Sequence, residues 1–196
     1  MPEITALFVG LGSIGTRHLK NLAQLCAQRG TPLRADALRS ELARPLRAGV
    51  APLLSAQFTD LADAAALPRY DLIFITNPTS LHAAALAQVR GRGGALFIEK
   101  PIFDCTNVDL QALIPAGQKA YVAAPMRWCG TMLALKAALP HLGRPYCARV
   151  LCSSYLPDWR PGVDYRTVYS ARKALGGGVT IDLIHEWDYL VDLFGV

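Results

Sequence analysis

The stretch Ile4-Thr5-Ala6-Leu7-Phe8-Val9-Gly10-Leu11-Gly12-Ser13-Ile14-Gly15 decides how this chain begins to fold. A short, almost wholly apolar run ends on a glycine, which reads as a strand buried on both faces. Three glycines spaced G-x-G-x-x-G follow, then a helical pattern from Ser13 to Arg29 that Gly30 and Pro32 stop. Strand, glycine turn and helix in this order is the context in which such a turn holds a dinucleotide. Gly10 permits the tight turn, Gly12 lets the backbone approach a pyrophosphate, and Gly15 lets the helix pack on the strand. Leu11, Ser13 and Ile14 complete the loop, and the free N–H groups at the helix start favour an anion.

Outward from this loop the same alternation repeats. Strands are expected at Leu33–Leu38, Leu53–Phe58, Asp71–Thr76, Ala95–Ile98 and Ala120–Ala124, with helices from Asp60 to about Leu67 and from Ser80 to Val89. Thr79 or Ser80 is the expected cap of the latter. Thr106 is the expected cap of a further helix, with Asp109 favouring its N-terminal end. Alternation of this kind implies βαβ crossovers and a parallel sheet. The expected fold class is α/β: a Rossmann-type doubly wound parallel sheet over residues 1–124, then a partial α/β second domain over 125–196. The second region offers a helix at Thr131–Leu139, a strand-like run at Tyr146–Tyr155, a loop rich in Pro, Gly, Asp and Tyr from Leu156 to Tyr169, and an amphipathic helix at Val179–Phe194.

Bulk properties narrow the function class. Apolar residues make up 52% and charged residues 18% of the 196 residues, so a large core can be buried. The net charge of +5 is scattered, without Lys/Arg blocks or interleaved aromatics, so an anionic small ligand is a better match than nucleic acid. The five cysteines have no C-x-x-C pair and read as reduced, mostly buried thiols of a cytoplasmic protein. No metal-ligand spacing stands out. No apolar run is long enough to span a membrane, and the N-terminus lacks the features of a secretory signal. His18 and His141 read as structural or solvated. Arg39 and Ser40 close the second strand, where a guanidinium and a hydroxyl suit a 2′-phosphate; Asp36 falls earlier, within the strand. NADP is therefore expected, with NAD as the alternative.

Three further segments join the glycine loop: Thr76-Asn77-Pro78-Thr79-Ser80-Leu81-His82, Glu99-Lys100-Pro101, and Gly176-Gly177-Gly178 followed by Asp182, His185 and Asp188. In this order they resemble the glucose–fructose oxidoreductase / inositol dehydrogenase (Gfo/Idh/MocA) family. The resemblance spans nearly the whole chain. It implies hydride transfer between NAD(P) and a sugar, cyclitol or related polyol, with a sugar-like small molecule as partner and a homo-oligomeric assembly. The segment around Leu156–Ala171 looks like a branch tied to surface-polysaccharide sugars. The resemblance places Lys100 near the nicotinamide, where an ammonium stabilises alkoxide charge. His185, which titrates near neutral pH, is the candidate general acid/base, with Asp182 or Asp188, three residues to either side, as its carboxylate; the family usually separates the aspartate and histidine by four residues and this chain separates Asp182 and His185 by three. Cofactor contacts are expected from Asn77, Pro78, His82, Glu99, Lys100 and Arg127. Substrate contacts are expected from Arg160, Tyr165, Arg166, Tyr169 and Asp188. The family's second domain holds a large antiparallel sheet beyond the point where this sequence ends. The strand at Tyr146–Tyr155 is thus expected to need a pairing partner, and a non-catalytic dinucleotide-binding module is the alternative function. A third reading, a reductase of linear tetrapyrroles or cyclic imines, fits the Glu-Lys-Pro and Gly-Gly-Gly segments less well.

Overall fold

A computed structural model describes residues 2–62 and 69–195. The chain divides into two units, Met1–Val122 and Ala123–Val196.

In the first unit six strands form one parallel sheet: β1 (Ile4–Val9), β2 (Leu33–Leu38), β3 (Ala56–Phe58), β4 (Tyr70–Ile75), β5 (Gly93–Ile98) and β6 (Lys119–Val122), in the spatial order β3-β2-β1-β4-β5-β6. The order reverses between β1 and β4. That switch point is where open α/β sheets bind ligands, beyond the carboxyl ends of their strands. Alternation along the strands divides the core between the two faces of the sheet. Leu7, Val9, Leu38, Ile73, Ile75, Leu96 and Ile98 face one side, with Ala85 and Leu86 of α2 (His82–Gln88). Ala6, Phe8, Ala35 and Phe74 face the other, with Leu19 of α1 (Ser13–Gln28).

The second face carries an aromatic row. Register places Phe8 beside Phe74, Phe74 beside Phe97 and Phe97 beside Tyr121. Phe8 and Phe74 stack with centroids 4.4 Å apart, and Phe74–Phe97 and Phe97–Tyr121 follow at 5.1 and 5.4 Å. Cross-strand aromatic pairs of this kind fix register as well as burying area.

Several expected elements shift. The helix expected from Ser80 starts as a 3-10 turn over Thr79–Leu81, so that Pro78 and then Leu81, not Thr79 or Ser80, occupy the cap positions. Asp109, not Thr106, caps α3 (Leu110–Leu113), its carboxylate accepting from the Gln111 and Ala112 amides. β3 is shorter than expected because Ala51–Leu53 forms a 3-10 turn ahead of it. Most of the helix expected at Asp60–Leu67 lies outside the described residues. The cysteines are not mostly buried as expected: Cys26 is buried and Cys129 half-buried, but Cys105, Cys147 and Cys152 lie outside the helices and strands and are exposed.

The second unit contains α4 (Gly130–Ala138), a series of 3-10 turns, α5 (Val179–Asp182) and α6 (Ile184–Phe194). The strand expected at Tyr146–Tyr155 is absent: the segment pairs with no strand among the described residues, and Tyr146 and Leu151 are 90% and 81% exposed. An apolar run forms a strand only when a neighbouring strand takes its N–H and C=O groups. The single helix expected at Val179–Phe194 breaks at Leu183, whose φ of −95° and ψ of 29° leave the helical region.

Phe74 touches three rings of the aromatic row and its surroundings. Phe74→Ala is expected to lower unfolding free energy by about 3–5 kcal/mol in a urea titration; a loss under 1 kcal/mol would show that the row is not central to the core.

Candidate dinucleotide site at the sheet edge

The glycine loop is built by strand pairing. Gly10 N–H continues the β2 ladder by donating to the Leu38 carbonyl at 2.9 Å. At the end of β4, Thr76 N–H donates to the Val9 carbonyl at 3.0 Å, and Thr76 Oγ1 donates to the Gly10 carbonyl at 2.6 Å. This pulls the loop against β4 so closely that a Cβ on Gly10 would lie 2.9 Å from the Asn77 backbone; Gly10 also has φ +90°. A Cβ on Gly15 would lie 2.3 Å from the Gly10 carbonyl oxygen and 2.6 Å from Thr76 Oγ1. Gly12 is different: nothing lies within 4 Å of the Cβ position there. Two glycines therefore serve chain packing and the third faces open space. The helix that follows has no side-chain cap and no acidic residue in its first turn. Its first amides are left for an external acceptor. Leu11, Ser13 and Ile14 line the same turn. Thr76 was not singled out from the sequence; its signal is a hydroxyl residue at a strand end beside the glycine turn.

Beside this loop β5 delivers Glu99 and Lys100. Glu99 N–H donates to the Ile75 carbonyl at 2.9 Å, extending the sheet. Its carboxylate, expected to meet cofactor, is engaged within the protein: Oε1 lies 2.6 Å from His18 Nε2, and Oε2 accepts the Lys100 N–H at 3.2 Å. The Lys100–Pro101 peptide is cis. Lys100 is half-buried at the strand's carboxyl end.

His82 is 1% exposed. Nε2 lies 3.0 Å from the Asn77 carbonyl and Nδ1 3.0 Å from the Ile102 carbonyl. It joins the loops after β4 and β5: where the sequence suggested a cofactor contact, the structure places a buried ring with both nitrogens at backbone carbonyls. Burial outweighs the neighbouring carbonyls and Glu99 and holds its pKa below the ordinary histidine value. Asn77 Nδ2 donates to the Leu81 carbonyl at 3.3 Å, while its buried Oδ1 accepts no hydrogen bond. Pro78 sets the turn that follows.

Arg39 closes β2 as expected, with Ser40 exposed after it. Arg39 Nη1 donates to Gln57 Oε1 at 2.8 Å and Nη2 to the Arg44 carbonyl. Asp36 is fully buried and accepts the Tyr70 hydroxyl at 3.0 Å. Burial first, then Asp36, pushes the Tyr70 pKa up.

In the second unit Arg127, an expected cofactor contact, clasps Asp188, an expected substrate contact. Arg127 Nε donates to Asp188 Oδ2 at 2.9 Å, Nη2 donates to Oδ1, and Nη1 reaches Asp192 Oδ1 at 3.4 Å. Lys136 pairs with Asp192 at 2.6 Å. Arg166 donates to Asp164 at 3.4 Å and lies over the Tyr165 ring, and the Tyr169 hydroxyl donates to the Gly176 carbonyl at 2.9 Å. Arg160 is exposed. Asp182 ends α5 and His185 lies in the first turn of α6, on either side of the break at Leu183. Among the described residues no group of three His, Cys, Asp or Glu side chains is placed to hold a metal ion, and no helix is long and apolar enough to cross a membrane.

The profile of the Gfo/Idh/MocA family, described as an oxidoreductase family with an NAD-binding Rossmann fold, matches residues 4–123. The chain belongs to this family. No curated protein matches it. Among solved structures it is similar to the WlbA (WbpB) dehydrogenase of Thermus thermophilus in complex with NAD and UDP-GlcNAcA, at 23% identity and TM-score 0.71, covering 98% of this chain and 63% of that one. It is similar to an NAD-binding oxidoreductase of Klebsiella pneumoniae (20%, TM-score 0.70, 98% and 53%). It is also similar to levoglucosan dehydrogenase in complex with NADH and levoglucosan (18%, TM-score 0.70, 98% and 54%). At these identities the likeness establishes the fold. The chain spans about half the length of the solved structures it matches.

The depressed pKa of His82 has a sign. In the unfolded chain the ring titrates near 6.5, so between that value and the lower folded one the unfolded state binds more protons. Stability is then lost as pH falls below about 6.5. The melting temperature of the wild type should drop more steeply from pH 7.5 to pH 5 than that of His82→Gln; parallel profiles would remove His82 as the cause.

Proposed function

We propose that this chain is an oxidoreductase that moves hydride between NADP, in preference to NAD, and a hydroxyl or keto group of a sugar or sugar derivative. The observation that carries the proposal is the open face at Gly12, at the switch point of the sheet and at the head of an uncapped helix. The residues fit a dinucleotide: the cradle has room only where a Cβ is missing, no carboxylate opposes an anion in the first turn, and Asn77 Oδ1 is a buried acceptor awaiting a donor such as a ribose hydroxyl.

When bound, the nicotinamide supplies the hydride donor or acceptor. The protein's part is positional and electrostatic. The Ser13, Ile14 and Gly15 amides hold phosphate oxygens. Arg39 exchanges its bonds to Gln57 and the Arg44 carbonyl for a 2′-phosphate, with Ser40 beside it. Lys100 donates to the reacting hydroxyl and favours its alkoxide. His185 takes the proton that leaves as the alcohol is oxidised and returns it in the reverse direction, with Asp182 as its carboxylate. Arg160, Tyr165, Arg166 and Tyr169 are the proposed substrate donors. The sugar class is supported by the UDP-GlcNAcA and levoglucosan bound in two of the similar structures.

Fluorescence titration of the 196-residue chain tests the cofactor. NADPH is expected to bind saturably and more tightly than NADH, and Gly12→Val to abolish binding of both. Arg39→Ala should weaken NADPH by about tenfold or more and leave NADH unchanged. Failure to bind either nucleotide would sink the proposal; equal affinities would remove only the preference for NADP. Lys100→Ala and His185→Ala should each cut turnover by about 10²–10⁴-fold while cofactor affinity stays within about twofold. Binding without turnover on any sugar nucleotide or free sugar would leave a non-catalytic dinucleotide-binding module.

A further inference from the structure

His18 sits on α1, the helix that begins at the glycine loop. Its ring lies against the aromatic row, edge-on to Phe97 at 4.9 Å and 6.1 Å from Phe74. This packing alone would suit any flat ring. The Nε2 atom adds something packing does not need: it lies 2.6 Å from Glu99 Oε1. A carboxylate accepts only, so Nε2 carries the proton. Both side chains are largely buried, at 17% and 12% exposure, so the Glu99 charge depends on this donor. The second carboxylate oxygen accepts the backbone N–H of Lys100 at 3.2 Å. The carboxylate is thus held from α1 and in turn holds the peptide that carries Lys100. At the other end of the segment, His82 of α2 meets the Ile102 carbonyl at 3.0 Å. Residues 99 and 102 are each tied to a histidine, from helices on opposite faces of the sheet.

We propose that His18 is a positioning residue for Lys100, acting through Glu99, and that it couples the helix of the phosphate loop to the lysine. The proposal rests on the reading of Lys100 as catalytic only for its consequence in turnover. The mechanical link is a property of the folded chain. With His18 in place, Glu99 Oε2 stays on the Lys100 amide and the lysine backbone keeps one position. Without the donor, a buried carboxylate seeks water or another partner and releases that amide.

Residue-resolved amide exchange on the ¹⁵N-labelled full chain tests the link. His18→Phe keeps a ring on the aromatic row but cannot donate; His18→Gln keeps a donor. In His18→Phe the Lys100 amide is expected to exchange about tenfold faster or more, while the Glu99 amide, bonded to the Ile75 carbonyl, stays within about twofold; His18→Gln should resemble the wild type. His18→Leu makes the same comparison should the phenylalanine variant not fold. An unchanged Lys100 amide, or equal acceleration of both amides, overturns the proposal. Once turnover is in hand, His18→Phe is expected to lower kcat about tenfold, to leave the NADH Kd within about twofold, and to cost nothing more in a Lys100→Ala background. An additive loss in that background, or loss of NADH affinity equal to the loss in kcat, overturns it. The exchange measurement needs neither cofactor nor substrate, so its failure is separate from failure of the catalytic reading of Lys100.

Discussion

The hydrogen bond from Thr76 Oγ1 to the Gly10 carbonyl is the constraint on which the site depends. It joins the ends of β1 and β4, the two strands at which the sheet order reverses. Drawing them together leaves no room for a side chain at Gly10 or Gly15, whereas the Cβ position of Gly12 faces open space. The head of α1 then lies over the carboxyl edge of the sheet, with its first amides unpaired within the helix. A cluster of unpaired helix amides beside open space at Gly12 is therefore a by-product of how two parallel strands end. The same junction places Asn77 against Gly10, which is why the loop after β4 belongs to the site at all.

Much of this was legible from residue order. Apolar runs ending in Gly10, at Arg39, at Thr76 and at Glu99 mark strand ends, and strand ends are where a parallel sheet exposes function. Periodicity locates such ends within a residue or two, as β1, β2 and α1 show. What periodicity does not contain is partner choice. Glu99 and His82 were expected to meet cofactor because they lie next to other residues with the same expected role. Three-dimensional packing instead turns Glu99 to His18 and buries His82 between two carbonyls. Both hold the backbone of the candidate site, Glu99 at the Lys100 amide and His82 at the Asn77 carbonyl. His18, taken as structural or solvated, becomes informative only through a contact 81 residues away in sequence.

The second unit was less legible for a related reason. The run from Tyr146 to Tyr155 has the composition of a strand, but composition does not provide the neighbour that makes one. Likewise Val179–Phe194 has the amphipathic pattern of one helix, yet Leu183 interrupts it. The consequence is chemical. Residues three apart share a face only in a continuous helix. With a break between Asp182 and His185, that spacing no longer guarantees that the carboxylate meets the imidazole.

The charged residues of the two units follow one physical rule. Arg127 was expected on the cofactor and Asp188 on the substrate, but both are partly buried and find each other. A two-point guanidinium–carboxylate contact, extended through Asp192 to Lys136, satisfies all four charges locally. Arg39 is satisfied differently, by a neutral amide and a backbone carbonyl. Neither acceptor neutralises it. Releasing Arg127 to a ligand would strand two carboxylates, whereas releasing Arg39 strands none, and a phosphate would return to Arg39 a charge that its present acceptors lack. The difference makes Arg39 the better candidate of the two for recognising an anionic ligand. It also shows why a lone arginine in a sequence says little until its acceptors are known.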